Sequence, residues 1–96
     1  MHRYELSRQA MRSMRSIPQE RKGKIFAALD DVVSLADPTT HQSVKKMKGD
    51  RSSCWRLRIG SYRAIFKVVA DEKDPEKQLL VLLVLTVGPR GDVYKG

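Results

Sequence analysis

The amino-acid sequence predicts an α+β fold, with two antiparallel helices packed on one face of a mainly antiparallel sheet of four or five strands. Two observations support this prediction. Apolar residues at helical spacing dominate the first third of the chain, whereas strand-type alternation dominates from residue 54 onwards. With 96 residues the chain is too short to divide, so residues 1–96 are expected to form one domain.

The first part of the chain predicts one short strand followed by two helices. Residues 2–6 are typical of a strand, and Ser7 is expected to cap a brief helix through residue 15. Ser16 and Gln19 match a capping box, which predicts the start of the second helix. Apolar residues recur at helical spacing until residues 37–38, Asp-Pro, end it.

Residues 54–69 predict a hairpin around which the rest of the chain is arranged. Two strands are joined by a tight turn at Gly60 and Ser61. Because strand side chains alternate between faces, one face can pack against the helices. The residues of that apolar face are Trp55, Leu57, Ile59, Tyr62, Ala64, Phe66 and Val68. The opposite face carries Arg56, Arg58, Arg63 and Lys67 together with Ile65 and Val69.

The segments on either side of the hairpin are less regular. Residues 38–53 are polar and basic, and are expected to form a connecting loop with some structure of its own. Residues 71–77 form a charged hairpin tip. Residues 79–87 are almost uniformly apolar, which predicts an interior strand covered on much of both faces. Residues 88–96 are expected to form a turn and a short final strand.

The charge of the chain is strongly positive and unevenly placed. The formal net charge is +8 and the isoelectric point is about 10.0. Between residues 45 and 67, eight basic residues accompany a single acid, Asp50, so this segment alone carries +7. The eight are Lys45, Lys46, Lys48, Arg51, Arg56, Arg58, Arg63 and Lys67. Such a cluster favours a polyanionic partner or a masking acidic protein.

Several classes of function lack their usual residues. The single cysteine, Cys54, cannot form an internal disulfide, which is typical of the reducing cytoplasm. The sequence contains no paired-cysteine metal site, no Gly-rich phosphate loop and no nucleophile elbow. Residues 79–87 are too few to span a membrane. We therefore expect a cytoplasmic protein without metal, small-molecule cofactor or membrane partner.

The remaining candidates outline a metal-free phosphate site. They are Arg56, Arg58, Arg63, Lys67, Arg90 and Tyr94. Guanidinium groups bind phosphate oxygens in pairs and keep their charge, so they can stabilise a phosphorane as its charge grows. Tyrosine offers a ring for stacking and a hydroxyl for proton transfer. In RNA the 2′-hydroxyl is an internal nucleophile. A nucleic-acid-binding surface without chemistry would have a similar composition.

Three segments resemble the RelE/ParE toxin superfamily. They are Lys-Lys-Met-Lys-Gly at residues 45–49, Trp-Arg-Leu-Arg-Ile-Gly-Ser-Tyr-Arg at residues 55–63, and Val-Gly-Pro-Arg-Gly-Asp-Val-Tyr at residues 87–94. Members of that superfamily carry a KKLKG element, a WRLRIGDYRVIF hairpin and a closing VGHRxxVY. The segments occur in the same order and at similar spacing, so the resemblance covers nearly the whole chain.

The resemblance implies a type II toxin that cleaves mRNA in the ribosomal A site, without a metal, by attack of the 2′-hydroxyl. It also implies an antitoxin whose acidic or amphipathic segment wraps the toxin, and the ribosome and mRNA as further partners. By motif position, the catalytic residues are Arg58, Arg63, Arg90 and Tyr94. The RNA-binding residues are Lys45, Lys46, Lys48, Arg56 and Lys67.

Two departures from the RelE pattern bear on the mechanism. Lysines are usual where this chain has Arg56 and Arg58, and arginine is a poor general base because it holds its proton far above neutral pH. Pro89 stands where His or Lys is common. A ParE-like DNA gyrase inhibitor without nuclease activity is the main alternative, and a non-catalytic RNA-binding domain is another. Tyr94 together with Arg90 favours the nuclease branch.

Overall fold

Two helices cover one face of a five-stranded sheet in the computed structural model, which describes residues 2–89. The strands are β1 Arg3–Leu6, β2 Val44–Lys46, β3 Trp55–Ile59, β4 Tyr62–Ala70 and β5 Leu80–Pro89, and the helices are α1 Arg8–Arg15 and α2 Gln19–Ser34. The strand order is β1-β5-β4-β3-β2. β1 runs parallel to β5 and the other pairs are antiparallel. The predicted fold class is confirmed.

The register of the β3–β4 hairpin confirms the predicted alternation. Leu57 lies opposite Ala64, and Arg58 lies opposite Arg63. Directly opposite side chains share a face, so the leucine face packs against the helices and the arginine face lies on the other side. The main core joins this leucine face to the helices, which supply Ala10, Met14, Ile25, Leu29, Val32 and Val33. Burial of each leucine or isoleucine stabilises the fold by about 1.5–3 kcal/mol.

The start of α1 agrees with the prediction, but the start of α2 does not. The Ser7 side chain accepts a hydrogen bond from the backbone N–H of Ala10 at 3.0 Å, as an N-cap should. The predicted capping box at Ser16 is wrong: its hydroxyl donates to the carbonyl of Ser13 at 3.0 Å, so Ser16 closes α1. Pro18 occupies the N-cap of α2 and makes no side-chain capping bond. α2 ends at Ser34, before the predicted stop.

The expected loop of residues 38–53 contains a strand that the sequence did not reveal. β2 is only three residues long, and it pairs antiparallel with β3 at the edge of the sheet. Three residues, Val-Lys-Lys, are too few to show the alternation that predicts a strand. β2 is therefore a strand because its backbone pairs with β3. Short 3₁₀ turns at Pro38–Thr40 and Gly49–Arg51 precede and follow it.

β5 is the predicted interior strand, and a bulge interrupts it. β5 lies between β1 and β4. Ile65 pairs with Thr86 whereas the next residue, Phe66, pairs with Val84, which leaves Leu85 as an extra residue. The carbonyl of Leu85 accepts a hydrogen bond from the Ser7 hydroxyl at 2.6 Å. The cap of α1 therefore also secures the bulge.

The end of β5 differs from the predicted turn after residue 87. Gly88 and Pro89 continue the strand opposite Arg63 and Tyr62. β1 pairs only with residues 81–84, so the Pro89 end of β5 has a free side where a residue without an N–H is tolerated. The rest of the predicted final strand lies outside the described residues. Within residues 2–89, neither helix has the length and apolar character needed to cross a membrane.

Candidate functional site

The sheet face turned away from the helices carries a hollow of about 500 Å³. Its lining residues are Gln42, Ser43, Lys45, Arg56, Arg58 and Arg63, and we call it the arginine hollow. The β3–β4 register brings the arginines together. Arg56 and Arg58 are two apart on β3 and so share one face, and Arg63 lies opposite Arg58 on the same face. Lys45 joins them because β2 places it opposite Arg56. Four of the predicted site residues therefore line one concave surface.

Arg63 is the most buried cation of the arginine hollow. It is only 9% exposed, and its Nη1 donates to the carbonyls of Gly60 at 3.0 Å and Tyr62 at 2.9 Å. A guanidinium has five N–H donors, so those on Nε and Nη2 are left over, and they make no hydrogen bond with any described residue. The turn carbonyls thus orient a planar donor group before any ligand arrives.

The arginine hollow has no carboxylate among its lining residues. The ion pairs within residues 2–89 join Arg3 to Glu5 and Asp71, and Lys77 to Asp74, all outside this surface. Arg58 lies directly opposite Arg63, so two like charges meet with no acid between them. An anion bound in the hollow would relieve that repulsion and accept the remaining N–H donors.

The other predicted RNA-binding residues lie outside the arginine hollow. Lys46 follows Lys45 on β2, but its ammonium lies 5.9 Å from the centre of the Trp55 ring, on the opposite side of the strand. Lys48 lines a neighbouring hollow that shares Lys45 and Arg56 with the first. Lys67 lines a further hollow along β4. The structure therefore spreads these lysines over both sides of the sheet.

Two of the predicted catalytic residues, Arg90 and Tyr94, lie outside the described residues. The part of β5 that leads towards them ends with Gly88 opposite Arg63 and Pro89 opposite Tyr62. Their roles stay predictions from motif position.

Two polar residues of the arginine hollow were missed from the sequence. Gln42 and Ser43 line its rim just before β2, and the carbonyl of Ser43 accepts from the backbone N–H of Arg58 at 3.0 Å. The ring Nδ1 of His41 accepts from the N–H of Ser43 at 3.0 Å and holds the segment in place. These residues would have been found only by predicting β2, since the strand brings them beside β3. Among the described residues, no three His, Cys, Asp or Glu side chains lie together as metal ligands would.

The chain matches a known protein family over nearly its whole length. The profile of the family described as "ParE toxin of type II toxin-antitoxin system, parDE" matches residues 4–94. This chain belongs to the ParE toxin family. It is therefore a toxin of a type II toxin-antitoxin system, and its predicted membership of the RelE/ParE superfamily is confirmed. A comparison with individual curated proteins gave no match.

Solved structures share the fold of this ParE-family toxin at low sequence identity. A chain of the Mycobacterium tuberculosis toxin-antitoxin complex RelBE2 is 16% identical, with a TM-score of 0.68 over 93% of this chain and 98% of that one. A chain of the archaeal RelE-RelB complex from Pyrococcus horikoshii is 23% identical, with a TM-score of 0.66 over 94% and 96%. A chain of the intact E. coli RelBE complex is 18% identical, with a TM-score of 0.67 over 93% and 96%. These likenesses establish a RelE-like fold.

Proposed function

We propose that this toxin is a ribosome-dependent, metal-independent endoribonuclease that cleaves mRNA in the ribosomal A site. The observation that supports this most strongly is the arginine hollow, where Arg63 is fixed by the turn carbonyls and still has N–H donors for a ligand. A phosphodiester supplies the anionic oxygens that such donors bind.

The reaction needs no external nucleophile. The 2′-oxygen of RNA forms a bond to the adjacent phosphorus, and the bond from phosphorus to the 5′-oxygen breaks. The proton of the 2′-hydroxyl leaves as the bond forms, and a proton is delivered to the departing 5′-oxygen. The products are a 2′,3′-cyclic phosphate and a 5′-hydroxyl. Negative charge grows on the phosphoryl oxygens in between, and fixed cations stabilise that charge at no reorganisation cost.

Named residues take different parts in this proposal. Arg63 grips the scissile phosphate, and Arg58, directly opposite it, shares the growing charge. Motif position assigns Arg90 to the leaving group and Tyr94 to base stacking and proton transfer. Because arginine keeps its proton, Tyr94 is the better candidate for moving one. Positions assigned to binding the rest of the strand are Lys45, Lys46, Lys48, Arg56 and Lys67.

A cognate antitoxin is the second part of the proposal. The solved structures from M. tuberculosis, P. horikoshii and E. coli are toxin-antitoxin complexes. An acidic or amphipathic segment of an antitoxin would complement the cationic face formed around Arg56, Arg58 and Arg63. The free toxin would act in the cytoplasm, where ribosomes and mRNA are found.

Primer-extension mapping of cellular mRNAs after brief expression tests the nuclease. Wild type should produce new 5′ ends within reading frames, and Arg63→Ala should lose them. Tyr94→Phe should reduce the cleavage rate by about 10²–10⁴-fold, as expected for loss of a proton donor. Lys24→Gln on α2 is the control, because Lys24 is exposed on the helix side of the sheet. Wild-type cleavage by Arg63→Ala would contradict the proposed site.

Gyrase inhibition is the alternative function, and the matching family profile, that of ParE toxins, favours it. A supercoiling assay with purified DNA gyrase separates the two. The nuclease proposal expects no inhibition of gyrase and clear mRNA cleavage. Inhibition of supercoiling without mRNA cleavage would replace the nuclease with the gyrase function.

A further inference from the structure

A second cationic hollow, of about 540 Å³, lies along the sheet from the arginine hollow. Its lining residues are Ser7, Arg8, Gln9, Asp50, Arg51, Ser53, Cys54, Lys67, Leu85 and Thr86, and we call it the Arg51 hollow. Neither Arg8 nor Arg51 belongs to the site that the sequence predicted. We propose that the Arg51 hollow binds a second backbone phosphate of the same single-stranded RNA, away from the phosphate that is cleaved. The inference rests on the proposed nuclease function and extends its substrate site.

Charge is the first reason. Arg8 lies on α1, Arg51 lies in the turn after β2, and Lys67 lies on β4. All three side chains line one concave surface. The first turn of α1 holds no acid that could neutralise Arg8. Asp50 is the only carboxylate among the lining residues, so the surface keeps a net charge of +2. None of these cations is in an ion pair within the described part of the chain.

A hydroxyl is the second reason. Thr86 lines the Arg51 hollow, and its hydroxyl makes no hydrogen bond with any described residue and keeps contact with solvent. It can therefore donate to a ligand without breaking a hydrogen bond within the described part of the chain. A phosphate oxygen placed between Arg51 and Lys67 would accept that hydrogen bond.

The floor of the Arg51 hollow favours an unpaired strand over a duplex. Cys54 and Ile65 form a small buried cluster with Met47 and Leu85 packed against it, on the same face as the arginines. Cys54 and Leu85 reach the hollow itself. Apolar side chains beside cations suit a base turned out of a stack, which only a single strand presents freely.

The two hollows are too far apart for one phosphate and are joined by a basic surface. Lys67 follows Arg63 by four residues on β4, which is about 13 Å at a strand rise of ~3.3 Å per residue. The neighbouring hollow of about 620 Å³ shares Lys45 and Arg56 with the arginine hollow, and Asp50 and Arg51 with the Arg51 hollow. One RNA strand can therefore follow a continuous path from the first hollow to the second.

Equilibrium binding to two RNA lengths tests the inference. A 12-nucleotide RNA and a dinucleotide both carry 2′-deoxyribose at the cleaved position, which removes the nucleophile and keeps the phosphates. The double variant Arg8→Gln/Arg51→Gln should bind the long RNA at least tenfold more weakly and the dinucleotide equally well. The plot of log affinity against log salt concentration should become shallower, with the magnitude of its slope reduced by about 0.7 for each lost phosphate contact. Thr86→Val keeps the side-chain shape and should weaken binding of the long RNA about fivefold.

The double variant Arg15→Gln/Lys24→Gln is the matched control, since it removes two exposed cations from the helices. The inference is overturned if Arg8→Gln/Arg51→Gln binds the long RNA as tightly as this control does. It is also overturned if the double variant binds the long RNA and the dinucleotide more weakly by the same factor. It is also overturned if only antitoxin binding weakens, because the hollow would then belong to the antitoxin. In all three cases mRNA cleavage by wild type still supports the proposed nuclease. A wild-type protein that neither binds nor cleaves RNA contradicts both the second phosphate site and the nuclease function.

Discussion

Arg58 and Arg63 lie directly opposite each other across the β3–β4 hairpin, and neither is paired with a carboxylate of residues 2–89. Like charges in opposite positions destabilise a sheet. The surrounding fold nevertheless fixes Arg63 through two backbone carbonyls. The pair therefore lowers the stability of the free protein, and an anion bound between the two side chains would relieve the repulsion.

Removal of one charge should therefore stabilise the free toxin. We expect Arg58→Gln to raise the free energy of unfolding by roughly 0.2–1 kcal/mol at low salt. Inorganic phosphate should stabilise wild type and have much less effect on the variant, because binding to the folded state shifts the equilibrium. Urea unfolding with and without phosphate measures both effects, with Lys24→Gln as control. A less stable Arg58→Gln would contradict the repulsion argument.

Gly60 links the hairpin turn to the arginine hollow. It has φ +59° and begins a two-residue turn between the paired residues Ile59 and Tyr62, as in a type II′ turn. An added Cβ at Gly60 would meet no atom within 4 Å, so only the backbone conformation disfavours alanine. Gly60→Ala should lower the free energy of unfolding by about 1–2 kcal/mol. It should also reduce mRNA cleavage, since the Gly60 carbonyl orients Arg63.

Gly23→Ala is the matched control for that prediction. Gly23 lies inside α2, and an added Cβ there also meets nothing within 4 Å. Alanine in a helix should raise the free energy of unfolding by about 0.5–1 kcal/mol and leave cleavage unchanged. Thermal unfolding and primer extension on both variants check the pair. Equal effects of the two substitutions would rule out a special role for the Gly60 conformation.

The Asp71–Arg3 pair should make stability depend on pH. Asp71 accepts from Arg3 Nε at 3.0 Å and from the N–H of Lys73 at 3.1 Å, and these bonds hold the pKa of Asp71 below its usual value. The pair therefore contributes fully above the unfolded pKa of about 3.9, and its contribution is lost as the pH falls through the lower folded value. We therefore expect the difference in free energy of unfolding between wild type and Asp71→Asn to be constant from pH 6 to 8. This difference should decrease below about pH 4.

Urea unfolding across that pH range measures the gap. Glu72→Gln is the control, because Glu72 is the exposed neighbouring carboxylate. A gap between wild type and Asp71→Asn that stays the same at pH 7 and pH 3 would show that ionisation of Asp71 does not stabilise the fold.

Phe66 should be the most costly core truncation on β4. It is fully buried between the sheet and the helices. Phe66→Ala should lower the free energy of unfolding by about 3–5 kcal/mol, a large share of the 5–15 kcal/mol typical of a domain. Val69→Ala, on the same strand but 39% exposed, should change it by less than about 0.5 kcal/mol. Urea unfolding measures both variants. Similar losses of unfolding free energy in the two would contradict a central position of Phe66 in the core.

The arginine hollow was largely predictable because its central residues follow a simple period. Arg56 and Arg58 are two apart on one strand, and the short turn fixes which β4 residue lies opposite. The three-residue β2 shows no period, so Lys45 and Lys46 looked alike although they lie on opposite sides of the strand. The sequence could not distinguish them without the register of the edge strand.

Two further features depended on tertiary context. Ser7 and Ser16 both precede helices, yet Ser16 serves the end of α1, and the buried Ile17 carries the chain into α2. The apolar run of residues 79–87 correctly indicated an interior strand. It could not reveal the bulge at Leu85, because apolar residues on both faces hide a change of face.

The bulge has a consequence for how this chain can change in length. Val87 packs in the main core and Thr86 lines the Arg51 hollow because Leu85 is left unpaired and the alternation of faces resumes after it. Deletion of Leu85 alone would leave a regular strand, in which Thr86 still lies opposite Ile65 and Val87 still lies opposite Ala64. A single deletion in β5 away from the bulge would instead move the residues on one side of the deletion to the opposite face. The bulge is therefore the place where this strand can lose one residue and keep an apolar face and a polar face.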